Sequence, residues 1–153
     1  MNKYAIIDVL PHREPMILVD SLVSYDNDSC ICQVKITKES PFYDESQSGV
    51  PSYIGIEYMA QAIAAYSGAN ALDNHDKVTI GFLLGSRKYK TFKSYFLLNT
   101  LLSIEIKQLY QEASGLSVFE CEINDQTSET LANANINVYQ PNDAEAFINE
   151  NNE

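Results

Sequence analysis

Basic side chains are scarce in this chain. Against 21 Asp and Glu stand only 10 Lys and Arg, a net charge of -11 with a pI near 4.5. A nucleic-acid binder draws much of its affinity from neutralising phosphates with Lys and Arg, so that class is excluded. The same arithmetic speaks against an anionic membrane or another acidic protein as partner. Cysteine is sparse as well: Cys30, Cys32 and Cys121 are odd in number and show no C-x-x-C spacing. At i and i+2 of a strand, Cys30 and Cys32 share a face and read as small core hydrophobes, not ligands. Two histidines, His12 and His75, leave little from which to build a zinc site, and no metal is expected. No apolar run is long enough to span a bilayer. The start carries Asp8 and no basic segment followed by an apolar one, so no signal peptide is expected. Repeats, low-complexity tracts and linkers are missing too, and a reducing cytoplasm is the expected location.

What remains is the composition of one ordinary domain. The 153 residues are 45% hydrophobic and 20% charged, enough to bury about 70% of the unfolded surface without a disulfide or metal staple. An amphipathic turn is expected in the first ten residues, stopped by Pro11. Strands are expected over 16–25 and 29–36, joined across a DND turn, and over 78–92, 100–112, 116–124 and 129–139. Between them Pro51 opens the only long helix candidate, PSYIGIEYMAQAIAAYSGANAL, closing near Gly68 to Leu72. One long apolar helix among several strands is an α+β pattern in which a sheet wraps a central helix. The domain is expected to occupy 1–141. The tail, 142–153, holds Asp143, Glu145, Glu150 and Glu153 and no basic residue.

Glu57 is the most informative side chain. From Ser46 through Leu72 it is the only charged residue, flanked by Tyr53, Ile54, Ile56, Tyr58, Met59 and Ala60, with Gln61 one turn on. A carboxyl on a helix apolar nearly all round faces a desolvation cost, which raises its pKa towards what a general acid needs. The plainer reading puts Glu57 on a narrow solvent-facing strip or against backbone groups near the helix start. An acid needs a base, and only two imidazoles exist. His75 falls in the polar NHDK turn and reads as exposed. His12, between Pro11 and Arg13, is either a base or a histidine packed at a strand entrance.

Three blocks then fall in order: LPHREPMILVD at 10–20, GIEYMAQAIAAYSG at 55–68 and GFLLGSRKYKTF at 81–92. Together they resemble the beta-hydroxyacyl-acyl-carrier-protein dehydratases of the hotdog fold, over roughly residues 5–140. The G-I-E-x-M-A-Q form of the helix motif resembles the branch associated with aryl-polyene biosynthesis. The resemblance implies a long central helix wrapped by a curved antiparallel sheet, and a homodimer or a heterodimer with a second hotdog dehydratase, with tunnels at the interface. It implies removal of water from a 3-hydroxyacyl thioester carried on the phosphopantetheine arm of acyl carrier protein, with no further cofactor. Glu57 carries over as the helix carboxylate that protonates the departing hydroxyl. Backbone N–H groups around Ser52 and Tyr53 would polarise the thioester carbonyl, and Gln61 would join them in binding substrate. The chain departs from the family at the loop before the helix. The usual G-H-F-P segment is replaced by FYDESQSGVP, shorter by about three residues and without histidine. Either His12 has become the base, or the chain is a non-catalytic subunit that pairs with an active dehydratase. A hotdog thioesterase, using the carboxylate to activate water, is a third reading. Tyr43, Asp44 and Glu45 read as loop and tunnel walls.

Four of the 10 basic residues, Arg87, Lys88, Lys90 and Lys93, cluster after the helix. They form either a solvated strand edge or a docking surface for acyl carrier protein, with Arg13 nearby. At physiological salt the Debye length is only about 8 Å, so local complementarity steers an encounter even when total charges repel. Four of the carboxylates lie in the tail. The acidic total therefore excludes nucleic acid without excluding an acidic protein partner.

Overall fold

The computed structural model describes residues 3–78 and 82–139. Along the chain come α1 (Ile6–Val9), β1 (Ser21–Tyr25), β2 (Ser29–Lys35), β3 (Gly49–Pro51), a 3₁₀ turn (Ser52–Ile54) and α2 (Gly55–Asp73). These are followed by β4 (Phe82–Thr91), β5 (Tyr95–Leu97), β6 (Leu101–Gln111), β7 (Leu116–Asn124) and β8 (Thr130–Tyr139). Six strands form one antiparallel sheet in the order β1-β2-β6-β7-β8-β4, while β3 and β5 pair separately. The long helix lies against the inner face of the sheet, the hotdog arrangement that the resemblance implies.

Period-two burial explains why the sheet holds the helix. Cys30, Cys32 and Val34 of β2 alternate inward, as do Leu102, Ile104 and Ile106 of β6, Phe119, Cys121 and Ile123 of β7, and Ala132, Ala134 and Ile136 of β8. They meet Tyr58, Met59, Ala62, Ile63, Ala65, Tyr66 and Ala69 of α2. At roughly 25 cal/mol per Å² of apolar area removed from water, this one contiguous core is the main favourable term in folding. All three cysteines are buried and unpaired, as expected of core hydrophobes. Gly68 admits α1: a Cβ there would overlap the carbonyl of Val9. At the far end of α2, Asp73 accepts hydrogen bonds from Lys3 Nζ at 2.9 Å, Tyr4 at 2.6 Å and Tyr25 at 2.7 Å. Those donors hold its carboxyl well below the usual range and pin the start of the domain to the helix end.

Three expectations need correction. The first strand begins at Ser21, not Met16. Residues 10–20 instead run as a strap across the helix, because the side chain of Gln61 occupies their backbone groups. The helix proper starts at Gly55 after a 3₁₀ turn, and it runs on to Asp73. The short pair β3–β5, three residues in each strand, is too brief for a hydrophobic period to register. The expected acidic tail, 142–153, lies outside the described residues.

Candidate active site

The start of α2 and the strap meet at the site. Gln61 is 4% exposed, and its amide bonds three backbone groups of the strap: Nε2 donates to the Met16 carbonyl at 2.6 Å, and Oε1 accepts from the N–H of Leu18 at 2.8 Å and of Val19 at 3.4 Å. The side chain stitches the strap to the helix, which leaves one Nε2 hydrogen without a partner among these bonds. Arg13 serves the same segment. Its Nη1 donates to the carbonyls of Leu10 at 2.9 Å and His12 at 2.7 Å, bracing the backbone that carries His12.

His12 is half-buried, and its Nδ1 is buried with no hydrogen-bond partner among the described residues. Burial pushes the imidazole below its ordinary pKa, while the charge of Glu57 acts in the opposite direction and only partly offsets it. Two consequences follow. His12 is a neutral imidazole at neutral pH, and the fold brings Glu57 close enough for its field to reach that ring.

Glu57 itself is exposed on the single chain. It shares with Tyr53, 69% exposed, a face of α2 continued by the half-buried Ala60 and Ala64. The sequence suggested a carboxyl buried by its apolar neighbours. The structure corrects this, since Ile54, Tyr58 and Met59 point into the core while Glu57 points away from it. The described hollows are not lined by Glu57, and one of about 330 Å³ lies on the sheet beside Lys88, Lys90, Glu120 and Glu122. Desolvation of Glu57 would therefore have to come from a second surface laid over this face.

The backbone donors are distributed differently from the expectation. The N–H of Ser52 is spent on the Ser94 carbonyl at 2.9 Å, so it is not available to a thioester oxygen. The N–H of Tyr53 makes no backbone bond outside its own turn among the described residues. Of the loop that replaces the usual histidine segment, Asp44 accepts from the Ser46 N–H at 2.9 Å and hydroxyl at 2.6 Å. The loop is thus a tight side-chain-capped turn, with carboxylates but no histidine. His75 is exposed in the turn after α2, at positive φ. Arg87, Lys88 and Lys90 lie on β4, an outer strand of the sheet, with Lys88 and Lys90 exposed. Lys93 sits 3.9 Å from Glu129, an exposed pair that contributes little.

The family model for ApeP-like proteins, described as ApeP dehydratase, matches residues 4–149. This chain belongs to the ApeP-like dehydratase family. Among solved structures, the dehydratase heterocomplex ApeI:P from Xenorhabdus doucetiae superposes with a TM-score of 0.88 at 28% identity. That match covers 98% of this chain and 99% of that one. Among curated relatives, the 3-hydroxyacyl-[acyl-carrier-protein] dehydratase FabZ of Chlamydia trachomatis serovar L2 is 36% identical over 88 residues, covering 54% of this chain and 57% of that protein. The FabZ of Methylobacterium nodulans is 32% identical over 89 residues, 56% of each. The chain thus spans a little over half the length of the curated relatives it matches. The PaaI protein of Escherichia coli, with a TM-score of 0.61 at 11% identity over 78% of this chain and 81% of that one, shows the shared fold alone. Among the described residues of this ApeP-like protein, no helix is long and apolar enough to cross a membrane.

Proposed function

We propose that this ApeP-like chain takes part in dehydrating 3-hydroxyacyl thioesters carried on acyl carrier protein to trans-2-enoyl thioesters, in fatty-acid or aryl-polyene-type biosynthesis in the cytoplasm. The observation that carries the reading is the buried, unpartnered Nδ1 of His12, on whose ring the charge of Glu57 acts. In this scheme the neutral His12 ring takes the proton α to the thioester, and the Tyr53 N–H bonds the carbonyl oxygen as charge develops there. The C–O bond then breaks, and Glu57 gives its proton to the departing hydroxyl, which leaves as water. Passing the α proton from His12 to Glu57 resets both groups. Gln61 and Arg13 hold the strap that carries the base.

Glu57 must be protonated for this step, and it is exposed on one chain, so the working site requires a partner surface over the helix face. The match to a heterocomplex supports a second hotdog subunit in that place, and a second copy of this chain is the other candidate. Substrate arrives on phosphopantetheine, with Lys88, Lys90, Lys93 and Arg87 as the carrier-docking cations. A non-catalytic role within such a pair is supported by the histidine-free loop at 42–51. The two readings separate on one assay of the chain alone and with a hotdog dehydratase partner, using a 3-hydroxyacyl thioester on carrier protein. Enoyl thioester formation that depends on Glu57 and His12 supports catalysis. Formation indifferent to both residues supports the pairing role, and release of free thiol indicates a thioesterase.

A further inference from the structure

The 3₁₀ turn ahead of α2 is held by a group from another part of the molecule. The hydroxyl of Tyr89, on β4, donates to the carbonyl of Ser52, the same oxygen that accepts the Gly55 N–H. That hydroxyl sits directly above Gly55, so that a Cβ there would overlap it. The next neighbours of such a Cβ, Ile123 Cδ1 at 3.1 Å and Phe96 Cζ at 3.2 Å, are tight as well and must each give by a few tenths of an ångström. Gly55 has φ -56 and ψ -31, a helical conformation open to any residue. Glycine stands there for space alone.

The strand is shaped to deliver this contact. Arg87 pairs with Asn135 and Lys90 with Asn133, so Lys88 and Tyr89 together oppose a single residue of β8. Lys88 takes up the bulge at φ 56, in the left-handed region that a non-glycine residue rarely adopts. The alternation resumes with Lys88 and Lys90 exposed and Tyr89 turned inward, half-buried. Burial pushes the Tyr89 hydroxyl up to about 12, which keeps it a donor throughout the working range.

We propose that Tyr89 is a positioning residue: its hydroxyl, seated between Gly55 and the Ser52 carbonyl, fixes the turn that aims the Tyr53 N–H and the Glu57 side chain. The turn lies between the bond of the Ser52 N–H to the Ser94 carbonyl and the first residues of α2, so its pitch sets where both groups point. The functional half of the proposal rests on the dehydratase reading above; the structural half does not.

The test is a cycle of Tyr89→Phe and Gly55→Ala in the full chain, with partner subunit present for turnover. Tyr89→Phe keeps the ring and removes the hydroxyl. It is expected to lower kcat about 10-fold with KM within about twofold, as a misaimed catalytic group does. Gly55→Ala is expected to lower the melting temperature, and adding Tyr89→Phe to it is expected to restore part of that loss, because the most obstructing atom is gone while Ile123 and Phe96 stay close. Wild-type kcat in Tyr89→Phe overturns the positioning role. A Gly55→Ala protein as stable as wild type, or a double variant no more stable than Gly55→Ala alone, overturns the packing that underlies it. If the wild-type protein dehydrates nothing, the dehydratase reading fails, and the stability cycle still decides the structural half.

Discussion

Replacing Gln61 by Leu isolates the contact that makes residues 10–20 a strap and not a strand. Leu matches the volume and is apolar, so the substitution leaves the core filled while removing three hydrogen bonds, at 2.6, 2.8 and 3.4 Å. The two short bonds are each worth about 1 kcal/mol net, and stranding the Leu18 N–H beside an apolar side chain adds roughly 1 kcal/mol or more. Burying Leu in place of an amide returns a part of this, leaving a loss of about 2–3 kcal/mol. For a domain of this size that corresponds to a melting temperature lower by roughly 5–10 °C. Urea unfolding at fixed protein concentration measures it, with the midpoint moving and the slope unchanged. Gln61→Glu keeps the acceptor oxygen, but it puts a charge in a 4% exposed position and loses the donor to Met16; it is expected to be at least as damaging. A loss below about 0.5 kcal/mol in both variants would refute the assignment of Gln61 to the strap. A pure rise in KM with stability unchanged would return it to the substrate.

Other outcomes follow from the same geometry. Since burial holds the His12 pKa low and the neutral ring is the base, kcat/KM should be flat at neutral pH and fall only below about 6.5. An acid limb centred above 7 would exclude His12. The linkage has the same sign: the unfolded chain protonates His12 at higher pH than the folded one. This contribution to stability is therefore complete above the unfolded value and is lost as pH falls through the lowered folded value, a loss absent from His12→Asn. Reversing Lys88 and Lys90 to Glu should raise KM for the carrier-bound thioester, but not for the free pantetheine thioester, with a difference that shrinks in salt. Equal effects on both substrates would remove the docking role. Cys30, Cys32 and Cys121 are buried, and burial pushes the Cys121 thiol up. Thiol reagents should modify none of the three until denaturant is added.

Much of the fold was legible because its strands obey a period of two. Strand β7 was expected over 116–124 and runs from Leu116 to Asn124, with alternating burial along its length. Where the outcome differed, side chains had overridden the pattern. MILVD at 16–20 is as apolar as a strand, yet Gln61 takes the backbone groups that a neighbouring strand would need. Isolation in sequence identified Glu57 as a candidate, but isolation carries no information about which face of the helix it occupies. The small residues Ala60 and Ala64 make an uncovered helix face look like core. Tyr89 gives no signal in the sequence because its partner is a carbonyl oxygen, a group that every residue has. Only the adjacency of Gly55 in space, invisible in the chain order, marks it.

The most direct measurement is the single-turnover rate of enoyl-thioester formation by the carrier-loaded, partnered protein with His12→Asn, Glu57→Gln and both changes together. Each single variant is expected to lose about 10²-fold or more, with the double variant hardly worse than either, as for groups acting in one proton relay. Wild-type rates in Glu57→Gln or His12→Asn would contradict the acid–base pair outright.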